Sequence, residues 1–402
     1  MDATTMKMSC IGAGPAGLYL AILMKNRDPR HDVTVYEQNP EGVTHGWGVV
    51  FWDDLIHALQ DNDPQTAREI VDQSFLWVDQ IVDIKDQKPV RGTGGGYSMR
   101  RQRLLDILAK RARELGVTIR YDTEVDPATD LSDSDVVVAS GGVGSRLRRQ
   151  RASEFGTKVE QGRNKYVWLG TTRVFHAFEF AFVPTEAGWL WFHAYGFEHG
   201  MSTLIVECAP ETWTKLGFDE LGAEDSLARL EEIFAHHLRG HKLLAQTRDN
   251  RLPWLNFSQV TNERWHNKNV VLIGDAAHTA HFSIGSGTRL AIEDSIALAR
   301  HLHEKPTIAA AFHAYETDRK LAISRTLKDA RYSARWYENI GRYTHLAAPQ
   351  FAIAMLGRRS PLVAMLPPRV YCQLDGLTRN VSVLKTMRRM AGDFYRRAPR
   401  SL

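Results

Sequence analysis

Apolar and polar positions alternate with two different periods along the chain. Between residues 8 and 37, a short apolar run, a helical pattern and a second apolar run predict a strand, a helix and a strand. Residues 101–115 repeat the helical pattern, and wholly apolar runs that end in glycine-containing turns recur at 135–146 and 269–278. Such runs are typical of buried parallel strands joined by helices.

Residues 158–252 follow another pattern, in which apolar and aromatic runs succeed one another with a single helical segment at 225–238. Consecutive strands without crossover helices predict an antiparallel sheet. The parallel pattern then resumes, and the chain past Asn339 is mostly helical. We therefore predict an α/β fold: a Rossmann-like domain split by an inserted mixed or antiparallel β-sheet domain, with a helical C-terminal region.

The changes of pattern also give boundaries. The Rossmann-like domain is predicted to take residues 1–75, 98–157 and 265–335, the sheet domain 76–97 and 158–264, and the helical region 336–402. Residues 42–52, rich in glycine and aromatic residues, predict an active-site loop before helices at 53–61 and 63–71. The glycine-rich residues 91–97 predict a flexible turn between two strands.

Composition is that of a globular protein. The 402 residues are 43% hydrophobic and 24% charged, which suits a large core in two packed domains. The net charge of +4 suggests no nucleic-acid partner. The amino terminus lacks a signal-peptide pattern, and no window approaches eighteen uncharged apolar residues. We therefore expect a cytoplasmic protein that does not bind a membrane, as a monomer or homodimer.

The three cysteines, Cys10, Cys208 and Cys372, are too scattered for a disulfide framework or a metal site. We expect buried thiols and no bound metal. The last residues of the chain are basic, and a solvated helix face is favoured there over a phosphate or membrane site. The basic side chains concerned are Lys385, Arg388, Arg389, Arg396, Arg397 and Arg400.

The first candidate for chemistry is the motif GAGPAG, which begins at Gly12 between the first predicted strand and helix. Gly12 allows a tight turn, Gly14 lets backbone amides approach a pyrophosphate, and Gly17 lets the helix pack against the strand. Glu37 follows Gly17 by twenty residues, where a carboxylate can accept hydrogen bonds from a ribose. Strand, helix and acid together predict a bound adenine dinucleotide.

The second candidate is the pair Gly274-Asp275, followed by Gly285 and Gly287. Asp275 ends a buried strand, where its carboxylate can contact a ribose or ribityl hydroxyl. The later glycines precede a predicted helix, whose first amides can bind a pyrophosphate or the anionic edge of a flavin. The two motifs in one chain indicate a dinucleotide site more specifically than either motif does alone.

With Arg101-Gln-Arg-Leu104 and residues 135–145, these motifs resemble the single-component FAD-dependent aromatic monooxygenases, the p-hydroxybenzoate hydroxylase class, over about residues 6–345. The resemblance implies that the split domain binds FAD. NADH or NADPH would reduce the FAD, and a C4a-hydroperoxyflavin formed with O2 would hydroxylate an electron-rich aromatic ring. The implied cofactor-binding residues are Gly12, Gly14, Pro15, Ala16, Gly17, Glu37 (adenosine ribose), Arg101 (pyrophosphate region), Gly274, Asp275 (ribityl chain and pyrophosphate), Gly285, Gly287 (isoalloxazine) and Thr288.

Two segments depart from the usual pattern of that family. Gly141-Gly142 stands where the family usually has Asp-Gly, which leaves the handling of the nicotinamide there open. His281-Phe282 stands where the family usually has prolines, which reshapes the wall beside the flavin.

Residues 45–51, 162–171, 193–195, 202–208 and 281–288 resemble a subgroup that includes hydroxylases of salicyloyl-CoA, anthraniloyl-CoA and protodeoxyviolaceinate. This resemblance implies hydroxylation of an aryl-CoA thioester, such as 5-hydroxylation of salicyloyl-CoA to 2,5-dihydroxybenzoyl-CoA (gentisyl-CoA). Two alternatives stay open. One is the hydroxylation of an indolic or other natural-product aromatic, and the other is a flavin-binding protein that does not oxygenate.

In this interpretation the flavin carries the chemistry and no protein nucleophile is expected. His45 and His281 are the candidate catalytic residues, because a histidine can hold or deprotonate a phenol near neutral pH. Each also has an ordinary structural interpretation, as core packing or a surface ion pair. The same holds for the substrate-pocket candidates, which are Trp47, Arg163, Lys165, His193 and Phe282. The arginines of residues 145–151 are candidates for phosphate contacts, although a solvated turn is the simpler interpretation.

Overall fold

The computed structural model describes residues 5–85, 87–125, 131, 133–247 and 249–380, so the basic C-terminal side chains named above lie outside the described residues. The strands are β1 (Lys7–Ile11), β2 (Asp32–Tyr36), β3 (Gly48–Phe51), β4 (Phe75–Ile84), β5 (Val90–Arg100), β6 (Thr118–Arg120), β7 (Val136–Ala139), β8 (Lys158–Thr171), β9 (Phe178–Thr185), β10 (Gly188–Glu198), β11 (Met201–Cys208), β12 (Leu243–Leu244), β13 (Leu255–Thr261), β14 (His266–Asn267) and β15 (Val270–Leu272).

The α-helices follow the same order along the chain. They are α1 (Pro15–Arg27), α2 (Asp53–Asn62), α3 (Pro64–Asp72), α4 (Arg101–Glu114), α5 (Arg146–Gln150), α6 (Ala152–Phe155), α7 (Pro210–Lys215), α8 (Ala223–Ile233), α9 (Ala235–Leu238), α10 (Gly287–Glu304), α11 (Ile308–Glu338), α12 (Ala348–Leu356), α13 (Pro361–Met365) and α14 (Pro368–Asn380). Short 3-10 turns occupy Gly274–Ala276, Phe282–Ile284 and Ile340–Arg342. No helix among the described residues is long and apolar enough to cross a membrane.

Six strands form the first sheet, in the order β14-β15-β7-β1-β2-β6. All neighbours pair in parallel except β14, which runs antiparallel to β15. Strands β1 and β7 lie in the middle, and helices α1, α4 and α10 cover them in one continuous core. The wholly apolar β7 takes this position because both of its faces are buried.

Nine strands form the second sheet, which follows the order β12-β8-β11-β10-β9-β4-β5-β3 with β13 paired to β8. Its β4–β9 pair is parallel and its other pairs are antiparallel. One core packs the sheet against α8 and α9, and another packs it against the end of α11 and α12. The predicted α/β fold, with a split Rossmann-like domain, a mixed inserted sheet and a helical C-terminal region, is confirmed.

The prediction of a flexible turn at residues 91–97 is wrong. These residues belong to β5, which pairs with both β3 and β4. The glycines serve close packing: a Cβ atom on Gly96 would lie 2.4 Å from the indole ring of the fully buried Trp77. Gly96 thus leaves the space that this indole needs, while the strand hydrogen bonds hold the chain extended.

Two predicted boundaries can be compared with the observed elements. β3 and the first residue of β4 belong to the nine-stranded sheet, although the sequence pattern assigns residues 1–75 to the Rossmann-like domain. Helix α11 runs without a break through the predicted boundary at 335–336.

The turns that follow β1 and β7 interlock. Gly12 has a φ of +113°, and a Cβ atom on it would lie 2.7 Å from the Cα of Gly141. A Cβ atom on Gly17 would lie 2.2 Å from the carbonyl oxygen of Gly12. The Ser140 hydroxyl lies 3.0 Å and 2.9 Å from the carbonyl oxygens of Ile11 and Gly12. Glycine is therefore required where the two turns touch.

We expect Gly17→Ala to lower the free energy of unfolding by about 1–3 kcal/mol, the usual range for overpacking. The added methyl group would meet a backbone carbonyl that Ser140 and Gly141 hold in place. Denaturant unfolding of the FAD-free protein measures the change. Gly14→Ala is the matched control, because its Cβ atom would be 3.9 Å from the nearest neighbour, and it should cost less than about 1 kcal/mol. Equal effects of the two substitutions would contradict the packing argument.

Candidate active site

A cleft of about 420 Å³ opens where β1, β2 and β7 end. We call it the dinucleotide cleft. Its walls include the predicted residues Gly12, Gly14, Pro15, Ala16, Glu37, Arg101, Asp275, Gly287 and Thr288, together with residues 140–146. The carboxyl ends of parallel strands are where α/β folds bind nucleotides. The fold thus brings both predicted motifs to one place.

Two helices begin at this cleft without a capping side chain. α1 has Gly14 as its N-cap and α10 has Ser286, and neither N-cap side chain accepts a hydrogen bond from its helix. Neither helix has an acidic residue in its first turn. The first amides of a helix and its positive dipole end suit an anionic group such as a pyrophosphate. The cleft therefore fits a dinucleotide.

Glu37 is fixed at the edge of the dinucleotide cleft. Its Oε2 accepts a hydrogen bond from the amide of Ala13 (2.9 Å). Its Oε1 accepts from the backbone amide and the side-chain amide of Asn39 (3.0 Å and 2.7 Å). These contacts orient the carboxylate and leave lone pairs for a ligand hydroxyl.

Arg101 and Asp275 face each other across the same cleft. The side chain of Asp275 is exposed although it lies deep in the molecule, because it borders the cleft, and no group of the described residues hydrogen-bonds to it. Burial raises the pKa of Asp275, and the nearby His278 and Arg101 oppose this change. Burial likewise lowers the pKa of Arg101, and Asp275 opposes that change. Both charges are available to a polar ligand.

The turn that carries Asp275 is held by Asp294, a fully buried residue of α10. Its Oδ2 accepts hydrogen bonds from the amide of Gly274 and from Nε2 of His278 (both 2.9 Å), and its Oδ1 accepts from Nε of Arg319 (2.8 Å). Burial disfavours the charge of Asp294, but His278 and Arg319 outweigh it and its pKa is lowered. Asp294 was not among the site residues predicted from the sequence, although a single acidic residue on the apolar face of α10 indicates a buried polar contact.

A second cavity of about 900 Å³, called the large cavity below, continues from the dinucleotide cleft. His45, Arg101, Asp275, Gly287 and Thr288 line both spaces. Much of the wall comes from the nine-stranded sheet and the Phe282–Ile284 turn, and it includes a group of aromatic side chains. Its aromatic residues are Trp52, Tyr166, Trp168, Phe178, Phe180, Tyr195, Phe257 and Phe282, and the predicted Gly285 and His193 also border it.

His193 lies among these aromatic rings. Its ring stacks on Phe178 and Phe282, with centroid distances of 6.0 Å and 5.7 Å, and it makes no hydrogen bond to the described residues. Burial lowers the pKa of His193 to about 3, and Arg358 and His281 add to the effect. Tyr166 also packs on Phe282, with a centroid distance of 4.6 Å, and burial raises the pKa of Tyr166 to about 12.

His281 lies behind the wall of the large cavity. Its Nδ1 hydrogen-bonds the hydroxyl of Ser283 (2.8 Å), which in turn bonds the hydroxyl of Ser333 on α11 (2.7 Å). Its ring packs against Phe257 and Phe282. Burial lowers the pKa of His281 to about 3. His281, a candidate catalytic residue, therefore lies in the interior with its Nδ1 already hydrogen-bonded.

Several other predicted residues lie outside both cavities. Trp47 packs on Gly170, where a Cβ atom would lie 2.7 Å from its ring. Arg163 is on the surface, 2.8 Å from a carboxylate oxygen of Glu211, and Lys165 donates to Asn256 (2.8 Å). Each of these side chains has a contact partner of its own and does not line either cavity.

The remaining predicted glycines and arginines lie behind the dinucleotide cleft, at its border or in the protein interior. Gly17 and Gly274 lie behind the cleft, where Gly274 leaves room for Ala16 and Ala291. Of the arginines of residues 145–151, Arg146 borders the cleft and pairs with Glu124. Arg148 is buried and donates to the carbonyl of Val143 (2.6 Å).

Known families match most of the chain. The family described as an FAD binding domain matches residues 96–330, and the family described as an NAD(P)-binding Rossmann-like domain matches residues 10–42. The chain is 37% identical over 367 residues to a salicyloyl-CoA 5-hydroxylase from a Streptomyces species, which covers 89% of this chain and 70% of that protein.

Two further relatives are similar over nearly their whole length. A 3-hydroxy-4-methyl-anthranilyl-[aryl-carrier protein] 5-monooxygenase from Streptosporangium sibiricum is 35% identical, over 83% of this chain and 90% of that protein. The protodeoxyviolaceinate monooxygenase of Chromobacterium violaceum is 30% identical, over 90% of this chain and 96% of that protein.

Solved structures share the fold at low sequence identity. A 2-methyl-3-hydroxypyridine-5-carboxylic acid oxygenase superposes with a TM-score of 0.65 at 19% identity, covering 89% of this chain and 98% of that chain. A flavin-dependent halogenase superposes with a TM-score of 0.64 at 14% identity, covering 94% and 78%.

Fold, cleft and relatives together define an FAD-dependent monooxygenase of aromatic compounds, an oxidoreductase that uses FAD and NAD(P)H. The chain belongs to the FAD-binding monooxygenase family. The family and the cofactors that the sequence motifs imply are confirmed.

We expect Asp294→Asn to lower the free energy of unfolding by about 3–5 kcal/mol at neutral pH, because Arg319 would lose its buried countercharge. The pKa of Asp294 is lowered on folding, so its contribution is present above its unfolded value of 3.8 and is lost as the pH falls below that value. Urea unfolding of wild type and variant between pH 7 and pH 3 should show the difference shrinking on acidification.

Glu293→Gln is the control for this comparison. Glu293 is partly exposed and contacts the same Arg319 at 3.0 Å, so its loss should cost at most about 1 kcal/mol. A similar cost for both variants would show that burial of the Asp294 charge is not what matters.

Proposed function

We propose that the protein hydroxylates the ring of an aryl-CoA thioester, and that its reaction is the 5-hydroxylation of salicyloyl-CoA to 2,5-dihydroxybenzoyl-CoA. The observation that carries the proposal is the large cavity, whose volume of about 900 Å³ and aromatic wall suit a ring with a sizeable substituent beside the cofactor. The names of two relatives, which act on an aryl-CoA and on an aryl carrier-protein thioester, support it.

In this proposal the dinucleotide cleft holds FAD. The first amides of α1 and α10 bind the pyrophosphate, Glu37 accepts hydrogen bonds from the adenosine ribose, and Asp275 and Arg101 contact the ribityl and pyrophosphate groups. The chemistry that FAD would supply when bound is acceptance of a hydride from NAD(P)H and activation of O2, by which one oxygen atom would enter the ring and the other would leave as water. The aromatic wall excludes water from the reacting ring.

We propose that His193 and Tyr166 hold the phenol of the substrate. A pKa of about 3 keeps His193 neutral at physiological pH, so its ring offers one hydrogen-bond donor and one acceptor. His281 is then a positioning residue, because Ser283 already occupies its Nδ1 and it does not border the large cavity. His45, at the junction of the two spaces, stays a candidate for contact with the cofactor or the ring.

The test of the function uses the FAD-loaded protein with NADH or NADPH. Salicyloyl-CoA should stimulate oxidation of the nicotinamide and yield one hydroxylated product per turnover, identified by mass spectrometry. Benzoyl-CoA, which lacks the activating hydroxyl, and free salicylate, which lacks the thioester, are the controls. Stimulation only by an indolic or other thioester-free aromatic would overturn the proposal and favour the alternative that protodeoxyviolaceinate monooxygenase represents.

The two histidines should respond differently to phenylalanine, which keeps the ring packing. His193→Phe should lower turnover of salicyloyl-CoA about 10-fold, the value of a lost hydrogen bond, with little change in the free energy of unfolding. His281→Phe should lower the free energy of unfolding by about 1–3 kcal/mol, because buried Ser283 loses a partner. Turnover and urea unfolding measure the two effects.

The pH profile adds a check on the state of His193. Since burial holds its pKa near 3, the profiles of turnover for wild type and His193→Phe should have the same shape between pH 5 and pH 8. A titration in that range that disappears in the variant would show that His193 acts as a base instead.

A further inference from the structure

Part of the wall of the large cavity comes from the C-terminal helical region. Leu356 and Arg359, at the end of α12 and just after it, line both the large cavity and a groove of about 480 Å³. The groove is bordered by apolar side chains, including Leu362, Leu366 and Leu374, and by the charged residues Arg325, Asp329 and Asp375. A ligand whose ring lies at the cleft can therefore extend past Arg359 into this groove.

Two consecutive arginines border the cavity here, and only one has its hydrogen bonds satisfied. Arg358 is buried, and it donates to the hydroxyl of Ser333 (3.1 Å) and to the carbonyls of Met355 and Ser283 (both 2.9 Å). This guanidinium joins the Phe282–Ile284 turn to α11 and α12. Its role is structural.

Arg359 has few partners within the described residues. Its one hydrogen bond to them, from Nη2 to the carbonyl of Ile284, is long at 3.4 Å, and none of their carboxylates lies within 4.0 Å. Burial lowers the pKa of Arg359 to about 10, Arg358 adds to the effect, and the more distant Asp329 opposes it. Arg359 is exposed because it borders both the large cavity and the groove, so this cation without a close countercharge is available to an anionic ligand.

The other arginine at this side of the cavity is already compensated. Arg289 lies 2.8 Å from a carboxylate oxygen of Glu293 and 3.4 Å from one of Asp54. Arg359 is thus the cation of this wall that has the most to gain from a ligand anion.

We propose that Arg359 binds the phosphate of the phosphopantetheine arm of the substrate, and that this arm leaves the large cavity through the groove. The inference rests on the proposed function, because only a thioester substrate has such an arm. A guanidinium binds phosphate with two charge-assisted hydrogen bonds. The methylene and dimethyl groups of pantetheine lie between the thioester and the phosphate, so they would pack in the large cavity, whose border beside Arg359 includes Leu356.

The experiment compares three thioesters that share one ring: salicyloyl-CoA, salicyloyl-4′-phosphopantetheine and salicyloyl-pantetheine, which has no phosphate. Arg359→Gln should raise KM for the two phosphate-bearing substrates about 10- to 100-fold with kcat little changed, and should leave salicyloyl-pantetheine unaffected. Arg359→Lys keeps the positive charge but loses the paired N–H donors of the guanidinium. Its KM for the phosphate-bearing substrates should therefore lie between those of wild type and Arg359→Gln.

Arg229→Gln is the matched control, because Arg229 forms an exposed ion pair with Glu186 (3.0 Å) on the distant helix α8. Its kinetics should equal those of wild type. The flavin absorbance and melting temperature of each variant show whether it is folded and loaded.

Two kinetic results would overturn the inference. An equal loss with all three thioesters would mean that Arg359 acts on the fold or the ring, and a loss with salicyloyl-CoA alone would mean that it binds the nucleotide phosphates. Calorimetric titration of the holoenzyme with free CoA is a readout besides turnover, and Arg359→Gln should weaken this binding to a similar extent.

The titration also separates the two proposals. If wild type hydroxylates no thioester, the proposed function fails. If wild type hydroxylates the thioesters but CoA binds equally to wild type and Arg359→Gln, only the inference about Arg359 fails.

Discussion

The buried carboxylate of Asp294 is the contact on which the rest of the site depends. It joins the turn after β15, through Gly274 and His278, to helix α11, through Arg319, while its own helix α10 begins at the cleft. A charge in a dry interior is tolerated only with close partners, so the arrangement has no low-energy alternative. Asp275 follows Gly274 directly and is thereby directed into the cleft.

The dinucleotide cleft is built mainly by backbone and the large cavity mainly by side chains. The dinucleotide cleft is formed by glycine turns and by the first turns of α1 and α10, whereas the large cavity is walled by aromatic side chains of the nine-stranded sheet. Proteins that share the motif and the fold therefore also share this backbone geometry. Side chains are free to differ, which is why one fold is shared with an oxygenase and a halogenase.

The C-terminal helices complete the large cavity from the side opposite the sheet. Arg358 ties them to the Phe282–Ile284 turn, and His281 belongs to the same chain of hydrogen bonds through Ser283 and Ser333. The wall beside the cofactor is therefore coupled to α11 and α12. His281, which precedes Gly285 and Gly287, takes part in this coupling, while His193 on β10 presents its ring to the cavity.

The sequence alone determined the parallel strands, the inserted sheet and the turn at Gly12, because glycine turns between apolar strands and helices are local features. The pairing of that turn with Asp275 is not local, and it was predicted from the resemblance to the FAD-dependent aromatic monooxygenases. The prediction from sequence was wrong for residues 91–97, because glycine can make room for a neighbour such as Trp77 as well as reverse the chain. Only the tertiary structure showed that Asp294 joins three segments through buried hydrogen bonds, that His193 borders the large cavity, and that Arg359 lies between this cavity and the groove. Their chemistry depends on which partners, often more than a hundred residues away, already occupy a side chain, and a linear pattern does not record that.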